Sequence, residues 1–484
     1  MRFLAFPKHI GILRAPERHG PCEHIVERVP AHSGKGRQVG KKRRIKTAQW
    51  FSPVCDNAKI RLAKLLGIWW RQRNPNRRPA TQQTLDPIMA IPRTRTYAGP
   101  AILSYGFRPF FLFGGLYTGL SILLWLPQFY GELALATLFA PVDWHVHELY
   151  FGFLPAIVTG FLFTAVPNWT GRMPLQGNAL LALLLLWLAG RVAVTFSAYI
   201  GWQSALVVDC AFLIAVAIVI AREIIAGANW RNLKVLLPLL VLAAANIAFH
   251  LEAHFDGVSD ISRRLAALAA ITLIMLIGGR VIPSFTRNWL VRENPGRLPA
   301  AFSRFDVVSI AAGIAALGVW TASPESLGAA VTMAIAALLH FIRLGRWAGD
   351  RTLRDPLVWI LHAAYLFVPA GFALIAAAIL LPEHISPLAG VHALGVGAVG
   401  GMTLAMMVRA SLGHTGQALR AGPAVSLLFL AVLVAAAARI LAAMTDSHTG
   451  LSLHVAAFAW MAAFCGFAVV VGPALVMPRR SARP

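Results

Sequence analysis

The sequence predicts an all-α, polytopic integral membrane bundle of about twelve transmembrane helices, with both termini in the cytoplasm. Hydrophobic residues make up 57% of the chain, and Asp, Glu, Lys and Arg together only 13%. Apolar runs of the roughly 20 residues that a spanning helix needs recur from about residue 110 onward. The Lys and Arg residues of the short connections fall in alternate connections, which is typical of a multi-pass protein.

Interruptions by Pro, Gly, charged and aromatic residues divide the apolar sequence into segments. All connections between them are short, which excludes a separate soluble domain, so 89–484 is predicted to be a single membrane domain. The predicted spans lie near 108–127, 147–167, 178–198, 203–222, 233–254, 263–283, 305–321, 326–343, 357–381, 388–410, 423–443 and 451–475.

The basic connections set the predicted orientation. Connections such as "TASPES" and "PEHISP" carry no Lys or Arg, and only Arg263 and Arg264 break the pattern. Cytoplasmic connections are the basic ones, and omitting a span would destroy the alternation, which supports a count of twelve. The basic connections lie near 172, 222–234, 287–304, 343–354, 409–420 and 479–483.

Residues 1–88 differ from the rest of the chain. They hold 19 of the 44 Lys and Arg residues but only five acidic residues. Such a segment can bind nucleic acid or anionic lipid, yet a basic sequence without an apolar core is typical of a disordered tail, which is our prediction. An alternative expectation is that translation starts at Met89, whose sequence reads as a short cytoplasmic start. No nucleic acid is expected to bind the membrane domain, whose surroundings are the lipid bilayer.

Five histidines at the predicted outer ends of the spans are candidate metal ligands: His145, His147, His250, His254 and His392. Ionisable residues inside spans are costly and usually face a cavity, a cofactor or each other. His250 and His254 are four apart and share a helix face, so they form a usable pair for one ion. His145 and His147 are two apart and point in nearly opposite directions, unless the helix begins between them with Asp143 as its cap.

Glu148 follows these two histidines and suits a supporting role. A carboxylate that accepts a ring N–H fixes the tautomer of a metal-ligating histidine. In a regular helix, His145 is the histidine placed to pair with Glu148, three residues away.

A second group of candidates lies at the predicted inner ends of the spans and is assigned to cofactor binding. His362 and Tyr365 share a helix face, and the arginines can neutralise carboxylates such as haem propionates. The group comprises His362, His414, Arg409, Arg280, Arg287 and Tyr365. The alternative for the arginines is ordinary anchoring at the cytoplasmic interface.

Several motifs together resemble the NnrS family: "YGFRPFFLFGGLYTGLSILLWLP", "WHVHELYFGF", "GFLFTAVPNWTGR", "RVIPSFTRNWL", "WILHAAY" and "VHALGVGAVGGMTLAMMVRASLGHTGQ". They occur in the family's order between about residues 100 and 475, and leave 1–88 uncovered. The resemblance implies a bacterial inner-membrane protein of twelve spans that binds haem and copper and is associated with nitric oxide, denitrification and protection against nitrosative stress. The family's final motif usually reads GHTGR, whereas this chain has Gln417 at the last position.

Two other functions are compatible with twelve spans. Haem-copper oxidases and nitric oxide reductases resemble one another in adjacent His-His and in His-Pro-Glu motifs, and this chain has neither. A transporter would suit a threefold repeat of four-helix units, which Asn168 and Asn288 suggest because equivalent motifs around them end spans of equal orientation. Acidic residues within the spans are few, however, so ion coupling has few carriers.

Overall fold

The computed structural model describes residues 97–445 and 447–479, which form helices and no β-strand. The predicted tail 1–88 lies outside these residues, so its prediction stays a prediction. Twelve helices are long and apolar enough to cross a membrane, which confirms the fold class and the predicted count. They are α1 Phe107–Phe129, α2 Pro141–Thr170, α3 Asn178–Thr195, α4 Trp202–Ala226, α5 Trp230–Phe255, α6 Asp260–Glu293, α7 Arg304–Ala322, α8 Leu327–Arg351, α9 Pro356–Leu380, α10 Pro387–His414, α11 Pro423–Met444 and α12 Thr449–Val470.

Local sequence signals start many of these helices. Proline occupies the first turn of α2, α9, α10 and α11, where its missing N–H has no helical partner to lose. Ser303 and Asp306 form a reciprocal capping box at the start of α7. Ser326 caps α8 by accepting from the Ala329 N–H at 3.1 Å. Capping thus fixes the helix starts, whereas apolar composition only indicates that a span exists.

Helices α2, α6 and α10 form the centre of the bundle. Between 67% and 72% of their central residues are buried, against 33–56% for the other nine spans described. Each central helix contains a π-helical segment, at Glu148–Phe153, Ile274–Gly278 and Ala393–Gly400. The three helices pack against one another. Because they are the second, sixth and tenth spans, the arrangement supports the hypothesis of three four-helix units.

One end of the bundle holds most of the candidate metal ligands. This histidine-rich end is defined by the connections 130–140, 196–201, 256–259, 381–386 and 445–448, where α1 ends and α2 begins. The opposite end, defined by the connections 171–177, 294–303 and 415–422, carries the basic residues. Which end faces the cytoplasm stays a prediction from the charges.

Candidate metal centre

Helices α1 to α5 bring seven polar side chains together near the histidine-rich end. We call this set the Asp209 cluster: Tyr117, His147, Glu148, Arg191, Asp209, Asn246 and His250. All except the part-buried Tyr117 are at most 4% exposed. Burial of so many polar groups is tolerated only where they satisfy one another or hold an ion.

Three members of the cluster can hold a metal ion. One ligand atom from each of His147, Asp209 and His250 lies within 4.8 Å of the others, the one such group in the part of the chain that the structure describes. Asp209 Oδ2 is 3.2 Å from Nε2 of His147 and 3.2 Å from Nε2 of His250. Two imidazoles and a carboxylate from α2, α4 and α5 therefore converge on one point.

The hydrogen-bond partners of His147 identify its lone pair. Its Nδ1 lies 3.1 Å from Glu148 Oε1, so the Nδ1 proton is donated to this carboxylate. Its Nε2 faces only acceptors, the Asn246 Oδ1 at 3.1 Å and the Asp209 Oδ2 at 3.2 Å. The Asn246 amide orientation is fixed because its Nδ2 donates to Asp209 at 2.8 Å. Nε2 therefore needs either a second proton or a metal ion in front of it.

Arg191 ties the two carboxylates of the cluster together. It donates to Glu148 Oε2 at 2.6 Å through Nη1, and to Asp209 Oδ1 through Nη2. Tyr117 donates its hydroxyl proton to the same Glu148 oxygen. With neutral histidines, two carboxylates and one guanidinium leave one uncompensated negative charge in an interior that is nearly dry. A bound cation removes that imbalance.

The π-helical segment of α2 makes room for this arrangement. A methyl group added at Gly152 would lie 2.6 Å from Arg191 Nη1 and 2.7 Å from Glu148 Oε2. Gly152 also accepts, through its carbonyl, a hydrogen bond from the Trp187 indole at 2.8 Å. π-Helical turns occur often at functional sites because they displace side chains from the regular helical positions. Here the turn begins at Glu148 and lets arginine approach the α2 backbone.

The structure separates the predicted outer histidines. Helix α2 begins at Pro141, before both His145 and His147, so the two rings leave on different sides. Asp143 does not cap the helix, as the sequence had suggested; it accepts a hydrogen bond from Ser259 at 2.5 Å. Glu148 pairs with the adjacent His147 rather than with His145.

His254 and His392 also lie outside the Asp209 cluster. His254 stacks on Trp202, with ring centres 4.3 Å apart, so the pair four residues apart on α5 does not converge. His145 stacks on Trp125 of α1 in the same way, at 4.1 Å. His392 lies on α10 and bonds the Leu388 carbonyl at 2.7 Å through Nδ1.

Of the predicted inner residues, Tyr365 belongs to a second buried set, the Arg343 network of Arg343, Asp306, His340 and Tyr365. Arg343 donates to Tyr365 at 2.7 Å and to Asp306 at 3.1 Å. His340 donates from Nε2 to a backbone carbonyl at 2.9 Å, so its Nδ1 accepts the Tyr365 hydroxyl proton at 2.8 Å. The network joins α7, α8 and α9, and its histidine has no lone pair left for a metal.

His362 lies beside this network without joining it. Its Nε2 contacts the Thr286 hydroxyl at 2.8 Å. Its Nδ1 has no hydrogen-bond partner but packs on the Gly349 backbone, where an added methyl group would lie 2.5 Å away. As the side chains are placed, neither nitrogen is open to the iron of a haem.

The other inner candidates are dispersed. Arg409 lies over the Phe285 ring at 3.9 Å, and the exposed His414 packs against Phe107 at 5.4 Å. Arg280 and Arg287 are exposed on α6. The assignment of this group to a cofactor stays a prediction.

The reasoning from sequence missed Arg191, the residue that joins the two carboxylates, and also Tyr117 and Asn246. Arg191 was hidden inside a predicted span, because arginines were sorted only by the connections in which they fall. A cation within a span is itself a sign of function, and the same reasoning applies to Arg439 on α11. Tyr117 and Asn246 have no comparable signal in the sequence.

The family model for NnrS protein matches residues 101–479. The chain belongs to the NnrS family. The resemblance found in the sequence is thereby confirmed over most of the chain, and family membership makes this a protein associated with the nitric oxide response. No curated protein matches the chain. Its twelve candidate spans make this NnrS-family chain a multi-pass membrane protein.

The donors of the Asp209 cluster fit a transition metal. Imidazole suits copper, zinc, iron and nickel, and divalent copper binds nitrogen and oxygen donors most tightly in the first-row series. The Glu148 carboxylate behind His147 is the partner that metal-ligating histidines usually have. For haem, the surroundings of His362 do not provide a comparable fit.

Proposed function

We propose that this NnrS-family protein binds copper at His147, Asp209 and His250. We further propose that it is a haem- and copper-binding protein of the bacterial inner membrane that acts in nitric oxide metabolism and protects the cell from nitrosative stress. The observation that carries the copper site is His147 Nε2, which faces only acceptor oxygens within a cluster of net negative charge.

Copper would supply redox chemistry and an open coordination position for a small ligand such as nitric oxide. The chain's own residues set the conditions for it. Glu148 holds His147 with its Nε2 lone pair toward Asp209. Arg191 keeps both carboxylates ionised and in place. Phe139, Phe151 and Phe249 pack around the imidazoles, at ring distances of 5.0 to 5.5 Å, and exclude bulk water.

Copper content of purified variants tests the site. The full chain in detergent is loaded with copper, dialysed and analysed for metal per polypeptide. His147→Ala, His250→Ala and Asp209→Asn are expected to lose the ion. Glu148→Gln keeps the ligands and is expected to bind about 10- to 100-fold more weakly, since it no longer accepts the ring proton as a carboxylate. His254→Ala is the matched control, because this histidine is on the same helix but stacks on Trp202.

Copper retention by both His147→Ala and His250→Ala would overturn the assignment. Loss of copper in His254→Ala as well would show that general damage explains the result. Variants are compared only where size-exclusion profiles match that of the wild type. The alternative to a metal, a doubly protonated His147, predicts no copper binding by any variant or by the wild type.

Protection is tested in cells that lack the chromosomal copy. The wild type and His254→Ala are expected to restore growth under a nitric oxide donor, and His147→Ala is not. Equal growth of all three strains would contradict the protective role, even if the metal data support the site. Rapid nitric oxide consumption by the purified protein would favour a reductase instead.

A further inference from the structure

His145 and His392 form a second histidine site at the histidine-rich end, separate from the Asp209 cluster. His145 is on α2 and His392 is on α10, and the two are close enough to interact electrostatically. Each ring is held from one side, His145 by stacking on Trp125 at 4.1 Å and His392 by the Leu388 carbonyl at 2.7 Å. Both side chains are only partly buried.

The hydrogen bond of His392 determines which nitrogen is free. A carbonyl only accepts, so Nδ1 carries the proton and Nε2 keeps its lone pair. No hydrogen bond to either ring nitrogen of His145 is present among residues 97–445 and 447–479. Free imidazole lone pairs on two central helices are ligands in search of a metal.

Arg439 makes this site electrically unlike the Asp209 cluster. It is on α11, which packs against the start of α10, and it interacts with both histidines. Within the described ranges 97–445 and 447–479, no Asp or Glu pairs with Arg439. With neutral imidazoles the site therefore carries one positive charge.

These two properties restrict the ligand. A bare divalent ion would satisfy the lone pairs but would add its charge to that of the arginine in a poorly screened environment. A small anion would satisfy the arginine but would face the lone pair of His392. A metal complex that brings its own negative charge satisfies both groups.

The neighbouring surface of α1 suggests the shape of that complex. A row of rings extends from His145 through Trp125, Phe129 and Tyr130 to His454, with successive centres 4.1 to 5.5 Å apart. Phe129 and Tyr130 are 45% and 44% exposed, so the row offers open aromatic surface. Exposed rings beside a free imidazole favour a flat, largely apolar ligand.

We propose that His145 and His392 ligate the iron of a haem, with a haem carboxylate beside Arg439 and the porphyrin next to the rings of α1. This proposal rests on the haem part of the proposed function and places that haem on the opposite side of α2 from the copper site. Iron porphyrin combines a metal, a flat apolar ring and carboxylates, which are the three features that this site can recognise.

Haemin titration of the purified full chain, in the cofactor-free form, tests the proposal. The wild type is expected to give the Soret and visible bands of a six-coordinate, low-spin haem. His145→Ala and His392→Ala are each expected to lose the low-spin spectrum and to bind haemin at least about tenfold more weakly, since one ligand bond is missing. Arg439→Gln is expected to keep the spectrum and to weaken binding about tenfold, the usual order for a charge-assisted contact.

His254→Ala is the matched control, because His254 also stacks on a tryptophan at the histidine-rich end but has no partner histidine. It is expected to bind haemin as the wild type does. Wild-type spectra and affinities in both His145→Ala and His392→Ala would overturn the proposal. So would copper binding that requires these two histidines in a protein that takes up no haemin.

Copper measured on the same samples separates this proposal from the copper site. Loss of haem with copper retained in His145→Ala supports it, and the reverse pattern refutes it. His147→Ala is expected to lose copper and keep the low-spin haem spectrum. Failure of every variant and the wild type to bind copper would refute the copper site without changing the haem result.

Discussion

His145 and His147 are two residues apart on the same helix, yet they lie in opposite electrostatic environments. His147 points into the Asp209 cluster, where two carboxylates outnumber one arginine. His145 points toward His392 and Arg439, where a cation has no acidic partner in the described residues. A helix turns by about 200° over two residues, which is enough to place neighbours in different sites. The first site suits a free cation, and the second suits a ligand with its own negative charge.

The largest expected difference between the two sites concerns their arginines. Arg191→Met leaves two buried carboxylates without a partner and should lower the free energy of unfolding by about 3–5 kcal/mol. Arg439→Met removes a partly exposed cation that has no partner and should change it by less than about 1 kcal/mol. Unfolding by denaturant in detergent measures both. Similar losses for the two variants would contradict the electrostatic contrast.

Copper should stabilise the protein through one site only. At a free copper concentration about 100 times the dissociation constant, the gain for a single site is about 2.7 kcal/mol. We expect this gain for the wild type and for His145→Ala, and none for Asp209→Asn. Thermal unfolding with and without copper measures it, and an equal gain in Asp209→Asn would remove the basis for placing copper there.

The glycines of the π-helical segments should differ in the same direction. Gly152→Ala places a methyl group 2.6 Å from Arg191 Nη1, so we expect a loss of about 1–3 kcal/mol and weaker copper binding. Gly395→Ala in α10 is the matched control, since its methyl group would lie 3.8 Å from the Tyr150 hydroxyl. The same unfolding measurement applies, and a Gly395→Ala loss as large as that of Gly152→Ala would show that the π-helical turn itself is sensitive.

The smallest expected effect concerns the stacking of His145. Trp125→Leu removes the ring on which this histidine rests, and such contacts are worth about 0.5–1.5 kcal/mol. Haemin affinity should therefore fall by about two- to tenfold, while copper affinity is unchanged. Trp202→Leu, beneath His254, is the control for haemin binding. A fall in copper affinity in Trp125→Leu would show that the two sites are coupled through α2.

Several features of the candidate site could be predicted from the sequence because they depend on local order. The histidines and Glu148 were recognisable as costly polar residues in apolar spans. The pairing of Glu148 with His147 was not, since it depends on a π-helical turn beginning at that residue. The convergence of His250 with His147 and its separation from His254 depend on how α5 packs against α2 and α4. Helical spacing alone placed His250 and His254 together, and it could not show that Trp202 occupies the ring of one of them.

By itself, the sequence determined the class of this protein, its twelve candidate spans and its family. Long apolar segments leave a chain few structures other than a helical bundle, because each backbone polar group in a bilayer must be satisfied internally. Only the tertiary structure decided which polar residues share a site. Arg191, Asp209 and Asn246 come from three different helices, and their meeting depends on packing directions that composition and spacing do not contain. The same packing gave one histidine of "WHVHE" a negative environment and the other a positive one.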